Sequence, residues 1–422
     1  MPSKNLISLL ILLTPLLGCV EQTNVATQES EESPVQPSKE PKRVIGSVEQ
    51  LQGVYPNPPL ILVTDAYEFQ SSKNGQLIVC SDQRGVGLWD ITTGTRTRLI
   101  QQTEIVLNIA LLESDDALLT IATGRTTPAR LWSLKTGKLL KEYPSPFNLI
   151  DATPQNQEKE QGGSQWKDTD SWRCATSGIV PEAGFGFTCA AFDSNETTLA
   201  TGCEDGRIIL WDVKSAKQIK TIATGVSRIH SIKFSARGNR LLAAARDDII
   251  QLWNLDENAK IREFKETRIE REIWVNGYRP AIAFSNDGSK FALYSPKLLA
   301  IRVCDSSTGD DLLRLPETSR HPRGHLQISL QRGLAFVDET TLFSNTGGQI
   351  KLWDITNGNL VQQKMCNSGV NVGYEYPHIH YLKFLPEIDA FVAAEVENDE
   401  NTHEADWTVI SFHPRKLLEV VP

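Results

Sequence analysis

The chain has 422 residues, of which 40% are hydrophobic, 28 are glycine and 21 are proline, and its 43 basic and 52 acidic side chains leave a net charge of −9. An acidic balance excludes general nucleic-acid binding, which rests on neutralising phosphates with lysine and arginine. No apolar run reaches the roughly 18 residues that a transmembrane helix needs, and the glycine and proline content suits a turn-rich β protein with a large core.

At the N-terminus, Lys4 precedes an apolar segment, residues 6–17, that ends in Leu16-Leu17-Gly18-Cys19. A positive start followed by a short apolar segment predicts a signal peptide over residues 1–18. Its last four residues resemble the bacterial lipoprotein processing box, in which cleavage before the cysteine frees it for lipidation. The resemblance implies acyl chains on Cys19 that hold the protein on a membrane of the bacterial envelope, stably where two or more chains are attached. Val20 after the cysteine implies outer-membrane retention. An ordinary secretory signal with a cysteine near its cut is the alternative reading of the same residues. Residues 19–43 then turn to Glu, Gln, Thr, Ser and Pro, with Pro34, Pro37 and Pro41. Such a segment cannot offset its ordering entropy by burial, so a disordered tether is expected, with a reach of roughly 25–30 Å.

The rest of the chain is built from one unit, clearest at residues 188–222, TCAAFDSNETTLATGCEDGRIILWDVKSAKQIKTI. Four runs rich in β-branched and aromatic residues, cut by Asn, Asp and Gly, predict a meander of four antiparallel strands. One such sheet cannot bury both faces alone, so it predicts neighbours of the same kind. The third run recurs as VGLWD, ARLWS, IILWD, IQLWN, IRVCD and IKLWD, with tryptophans at Trp89, Trp132, Trp211, Trp253 and Trp353 and with Val303 taken as the replacement in the fifth copy. A seventh, degenerate copy follows, with Ser411 placed at the tryptophan position. Neighbouring copies are spaced 43, 79, 42, 50, 50 and about 58 residues. That period, the four strands and the LWD run resemble the WD-repeat β-propeller family. The fold expected is all-β, a seven-bladed propeller over residues 44–422. Either residues 44–52 or residues 417–421 are expected to complete the last blade.

In the family this resembles, the tryptophan joins a hydrogen-bonded tetrad with a histidine, a serine or threonine, and an aspartate. Carried onto this sequence, copy three offers Thr201, Asp205 and Trp211, copy four offers Asp247 and Trp253 with His230 upstream, and copy six offers His325, Ser344 and Trp353. The other copies lack most of the set. These residues are expected to hold blades together, a buried indole needing one partner for its N–H.

Turns between first and second and between third and fourth strands are short in the copies. The extra length lies at residues 144–184, 265–279, 316–330, 367–377 and 397–406. In a four-strand meander these connections all emerge on one face of the ring, and insertions gathered on one face mark a binding surface. They carry Trp166, Trp172, Trp274, Tyr374 and Tyr376 beside Arg173, Arg271, Arg279, Arg320 and Arg323. Trp, Tyr and Arg are the side chains enriched at interface anchors, which points to a protein or peptide partner. The competing reading is that the aromatics pin their own loops.

Catalysis has little support. His321, His325, His378, His380, His403, Glu375 and Glu404 fall in or near the long connections, but no HExxH, paired CxxC, phosphate loop, dinucleotide fingerprint or nucleophile elbow accompanies them. No metal or cofactor is therefore expected. An extracytoplasmic propeller hydrolase or oxidoreductase is the alternative, because folds do not dictate function. Cys80, Cys189 and Cys203 fall in strands as small core residues, and Cys174 is the cysteine best placed to bridge. The expectation from the whole sequence is a membrane-anchored, non-catalytic scaffold.

Overall fold

The computed structural model describes residues 60–63, 68–147, 186–266, 281–317, 333–365, 378–397 and 407–420, apart from short turn positions at 73, 83–84, 91–94, 113, 115, 296–297 and 347–348. Seven antiparallel sheets are present among them. Blades one to six occupy residues 68–101, 106–143, 187–223, 229–265, 282–316 and 334–365, and blade seven combines residues 378–414 with Leu60–Val63. Within each blade the strands lie in chain order, and the first strand of one blade packs against the first strand of the next. The ring closes where the first strand of blade one, Glu68–Ser71, meets that of blade seven, His378–Leu385. This is the seven-bladed β-propeller that the repeat pattern predicts.

The sequence of each strand matches its distance from the axis. Second strands such as Ala117–Ala122 and Arg240–Ala245 are almost wholly buried and read as near-continuous apolar runs, ALLTIA and RLLAAA. A strand covered on both faces by neighbouring blades has no face to give to water. Fourth strands such as Gln218–Ala223 alternate polar and apolar residues and are mostly exposed, as outer edges should be. Apolar clusters run between blades, as where Tyr143 and Phe187 pack edge-to-face on Trp211 at 5.7 and 6.3 Å.

The aspartate of the LWD run has a local task. Asp212, Asp305 and Asp354 accept backbone N–H bonds from Ser215, Ser307 and Thr356 at 2.7, 2.7 and 2.8 Å, closing the turn into the fourth strand. The Ser215, Ser307 and Thr356 hydroxyls donate to the same carboxyls, and these bonds first, the backbone ones beside them, favour the ionised form and lower the pKa of each aspartate. The turn ends in the left-handed region at Gly137, Gly309 and Gly358, and Ala216 and Asn258 take the same conformation with φ of 53° and 54°. The glycine of the repeat thus answers a backbone demand.

The structure corrects the sequence reading at several points. The outer strand of blade seven is Leu60–Val63, paired with Trp407–Pro414; residues 44–52 lie outside the described residues. The C-terminal Glu419–Val420 instead adds a fifth strand to blade six, pairing with Asn359–Met365. In six blades the register between third and fourth strands slips just before the tryptophan position, and in blade five the slip falls between Val303 and Cys304. Cys304, not Val303, therefore stands in the tryptophan's place. In blade seven His413 faces Phe391 as Trp211 faces Leu199, so His413, not Ser411, holds that position. The error in both copies is a slip of register, to which degenerate strands give little resistance. Cys80, Cys189, Cys203 and Cys304 are buried thiols outside any disulfide; Cys174 lies outside the described residues.

Candidate functional site

The tetrad residues resolve into a simpler scheme. Trp132, Trp211 and Trp353 donate their indole N–H to Thr120, Thr201 and Ser344, each at 2.9 Å. All three acceptors share one register position on the second strand. Thr120 was not foreseen in the sequence, although its spacing to Trp132 resembles that of the other two pairs. Blade four has Ala243 at this position, and Trp253 turns instead to Gln251 on its own strand at 3.0 Å. Blade one has Cys80, and the Trp89 indole N–H is buried with no partner among the described residues.

Asp205, assigned to the tetrad, is engaged on its own turn. Asp205 accepts from the Arg207 guanidinium at 2.7 Å, because the two lie one residue apart on the same turn. Asp247 sits in a short 3-10 turn, Arg246–Asp248, while the indole it was to support is taken by Gln251. His325 lies outside the described residues, and Glu317 supplies the acceptor for the Ser344 hydroxyl at 2.9 Å. Glu317 also binds Lys351 in a pair buried on both sides. Glu266 does the same in blade five with Ser295 and Arg302, and Glu104 meets Arg130 at 3.1 Å in blade two. Arg130, Arg302 and Lys351 occupy one register position, so acids leaving one blade repeatedly clamp a cation of the next.

Backbone hydrogen bonds distinguish the two faces of the ring. Connections from fourth to first strand bond to those from second to third: Thr123 N–H to Ile105 O at 2.8 Å, Arg228 N–H to Glu204 O at 2.8 Å, Glu266 N–H to Asp248 O at 3.0 Å and Glu317 N–H to Leu299 O at 3.0 Å. On the other face, the two kinds of short turn bond to each other, as Val213 N–H does to Thr197 O at 3.0 Å and Ile355 N–H does to Thr340 O at 2.8 Å. The stems of all five long segments belong to the first face. Trp166, Trp172, Arg173, Trp274, Arg279, Arg320, Arg323, Tyr374 and Tyr376 themselves lie outside the described residues.

The described part of that face, at blades two to four, carries groups that the sequence reading did not single out. Arg125 lies 4.3 Å over the Phe147 ring and Arg207 lies 5.9 Å from it, both within reach of a cation–π contact. Beside them, burial raises the pKa of Glu204 against the opposing pull of Arg228 and Arg246. Nothing in the repeat marks these residues, because their positions vary from copy to copy.

The axis of the ring is a channel of about 910 Å³ lined by the first strands of all seven blades. At one level, set by the residue facing Val79, Leu119, Ala200, Leu242, Ala292, Phe343 and Val392 on the second strands, the wall is Ala110, Ala191, Ala283 and Ala335 with Gln70, Lys233 and Lys383. The Lys383 ammonium donates to the Ser71 carbonyl at 2.8 Å. Glu68 accepts from Asn108 at 3.2 Å, and Asn108 in turn accepts from the Ala190 N–H at 3.0 Å. Among the described residues, no three His, Cys, Asp or Glu side chains gather as a metal set.

Comparison with known proteins agrees with this architecture. The WD40 family, described as WD domain, G-beta repeat, matches residues 180–212 and 216–254, which take in the strands of blade three and the first three strands of blade four. The chain is 37% identical over 68 residues to the Retinoblastoma-binding protein 5 homolog of Drosophila melanogaster, covering 16% of this chain and 14% of that protein. It is 21% identical over 231 residues to the NACHT domain- and WD repeat-containing protein 1 of Mus musculus, 49% of this chain and 14% of that protein. Against the Autophagy-related protein 16 of Arabidopsis thaliana it is 22% identical over 196 residues, 44% of this chain and 37% of that protein. The matched stretches therefore span well under half of these relatives' own lengths. The two matched repeats, set within seven sheets of one design, make this chain a seven-bladed β-propeller similar to the WD40-repeat proteins.

Proposed function

We propose that the protein is a membrane-anchored, non-catalytic scaffold that captures protein or peptide partners on the face where its long connections converge. WD40 propellers generally bind protein partners and are usually non-catalytic. What supports the reading is that the antiparallel strand order puts the stems of all five extended connections on one face, which backbone hydrogen bonds mark out at Gly186, Glu266 and Glu317, while the connections of the opposite face are short in the sequence. Trp166, Trp172, Trp274, Tyr374 and Tyr376, with Arg173, Arg279, Arg320 and Arg323, supply the anchor chemistry on those connections. The signal segment and Cys19 supply the attachment: acylated cysteine holds the chain on an envelope membrane, the outer one favoured, and residues 20–43 act as its tether.

The experiment uses the full-length chain in its native membranes. Replacing Trp166, Trp172 and Trp274 together by Ala is expected to reduce partner capture at least tenfold, as loss of central anchors does; undiminished capture rejects the docking face. Cys19→Ala is expected to release the protein from the membrane fraction. Retention there rejects the lipid anchor without touching the docking proposal.

A further inference from the structure

The channel contains a pair of opposite charges that the repeat does not explain. Lys233 stands on the first strand of blade four and Glu68 on that of blade one, three blades apart, the largest separation a seven-membered ring allows. Lys233 is exposed to water in the channel; desolvation by the channel walls lowers its pKa while Glu68 pulls the other way. The two charges feel each other across the channel, but Lys233 forms no hydrogen bond or ion pair among the described residues.

The level at which Lys233 stands explains why the charge lacks a partner. Four of its six companions there are alanines, which supply neither an acceptor nor bulk. Lys383, the other cation at that level, is already committed to the Ser71 carbonyl. Glu68, the opposite charge that Lys233 feels, stands across the channel, so the ammonium has room for an anion beside it, but a simple anion placed there would also face the Glu68 carboxylate. A ligand with both signs of charge satisfies both walls at once. A channel of about 910 Å³ lies within the size range of small-molecule sites.

We propose that the propeller channel binds a small zwitterion, an amino acid or short peptide, whose carboxylate meets Lys233 and whose ammonium meets Glu68. The site is independent of the long connections and of any partner held there. Asn108 positions the Glu68 carboxylate through the bond at 3.2 Å, and the four alanines leave room for the ligand's carbon atoms.

The test is calorimetric titration of the full-length chain with L-alanine, L-alanyl-L-alanine, propionate and ethylammonium. Binding of alanine or dialanine is expected, the tighter of the two identifying free amino acids or peptides as the source. Propionate and ethylammonium, each lacking one charge, should bind about tenfold or more weakly. Lys233→Met and Glu68→Gln should each weaken the zwitterion by a similar factor. Propionate binding as tightly as the zwitterions overturns the Glu68 half, and absence of heat for every probe overturns the site. Neither of these outcomes depends on a variant that folds. Undiminished zwitterion binding by both variants overturns the proposal as well.

Discussion

At the scale of the residue, each motif tryptophan has one N–H to satisfy, and the blades differ in how they do it. A hydroxyl on the second strand serves Trp132, Trp211 and Trp353, a glutamine serves Trp253, and Trp89, whose blade carries Cys80 at the hydroxyl's position, has no partner among the described residues. Leaving a buried donor unpaired costs on the order of 1–3 kcal/mol. Cys80→Ser supplies the oxygen that the other blades use, and thermal unfolding should show it to be stabilising by about 1 kcal/mol; a lower melting temperature would contradict the equivalence of these positions. Blade seven makes a different exchange, burying His413, 2% exposed, where others bury an indole. Burial pushes its pKa down to about 4, with Lys364 acting in the same direction. The unfolded chain then takes up a proton near pH 6.5 that the folded chain refuses until about pH 4. Stability should therefore fall as pH drops through that window, by up to roughly 3 kcal/mol. His413→Leu should flatten the dependence of melting temperature on pH, and an unchanged slope would show that another group is responsible.

At the scale of the element, the strands, their order and five of the seven third strands were legible in the sequence, because apolar runs, turn residues and tryptophan recur together. Legibility failed where the recurring residue was lost. Cys304 and His413 each stand where a tryptophan is expected, and the repeat pattern pointed instead to Val303 and Ser411, one and two residues earlier. Closure was half legible: a segment from each end was expected to compete for one place, and both ends are used, on different blades. Leu418 buries its side chain in the cluster between blades six and seven, beside Phe343, Phe384 and Phe391, and Arg415 reaches Asp338 of blade six at 3.5 Å. The last turn of the chain is thus a clasp across the seam left by the N-terminal strand. Leu418→Ala should cost about 2–5 kcal/mol and accelerate hydrogen exchange first in blades six and seven. Uniform acceleration around the ring would show that the clasp is not local.

At the scale of the whole molecule, the two-faced character of the disc was legible from the lengths of its connections, since an antiparallel meander fixes which ends share a side. The channel was not legible. Lys233 and Glu68 are single charged residues in strands whose pattern reads as ordinary blade packing, and only the ring brings them to opposite walls of one space. Nor were the clamps of Glu266 and Glu317, which follow their fourth strands without any motif and find their cations in the next blade. One feature of closure also governs presentation. Leu60–Val63 runs antiparallel to Trp407–Pro414, with Val63 beside Trp407 and Leu60 beside Ile410. Trp407 begins at the face of the long connections, so Leu60–Val63 runs toward that face. The strand that seals the ring thus points its C-terminal end at the elaborated side of the disc, the side from which Glu68 opens blade one.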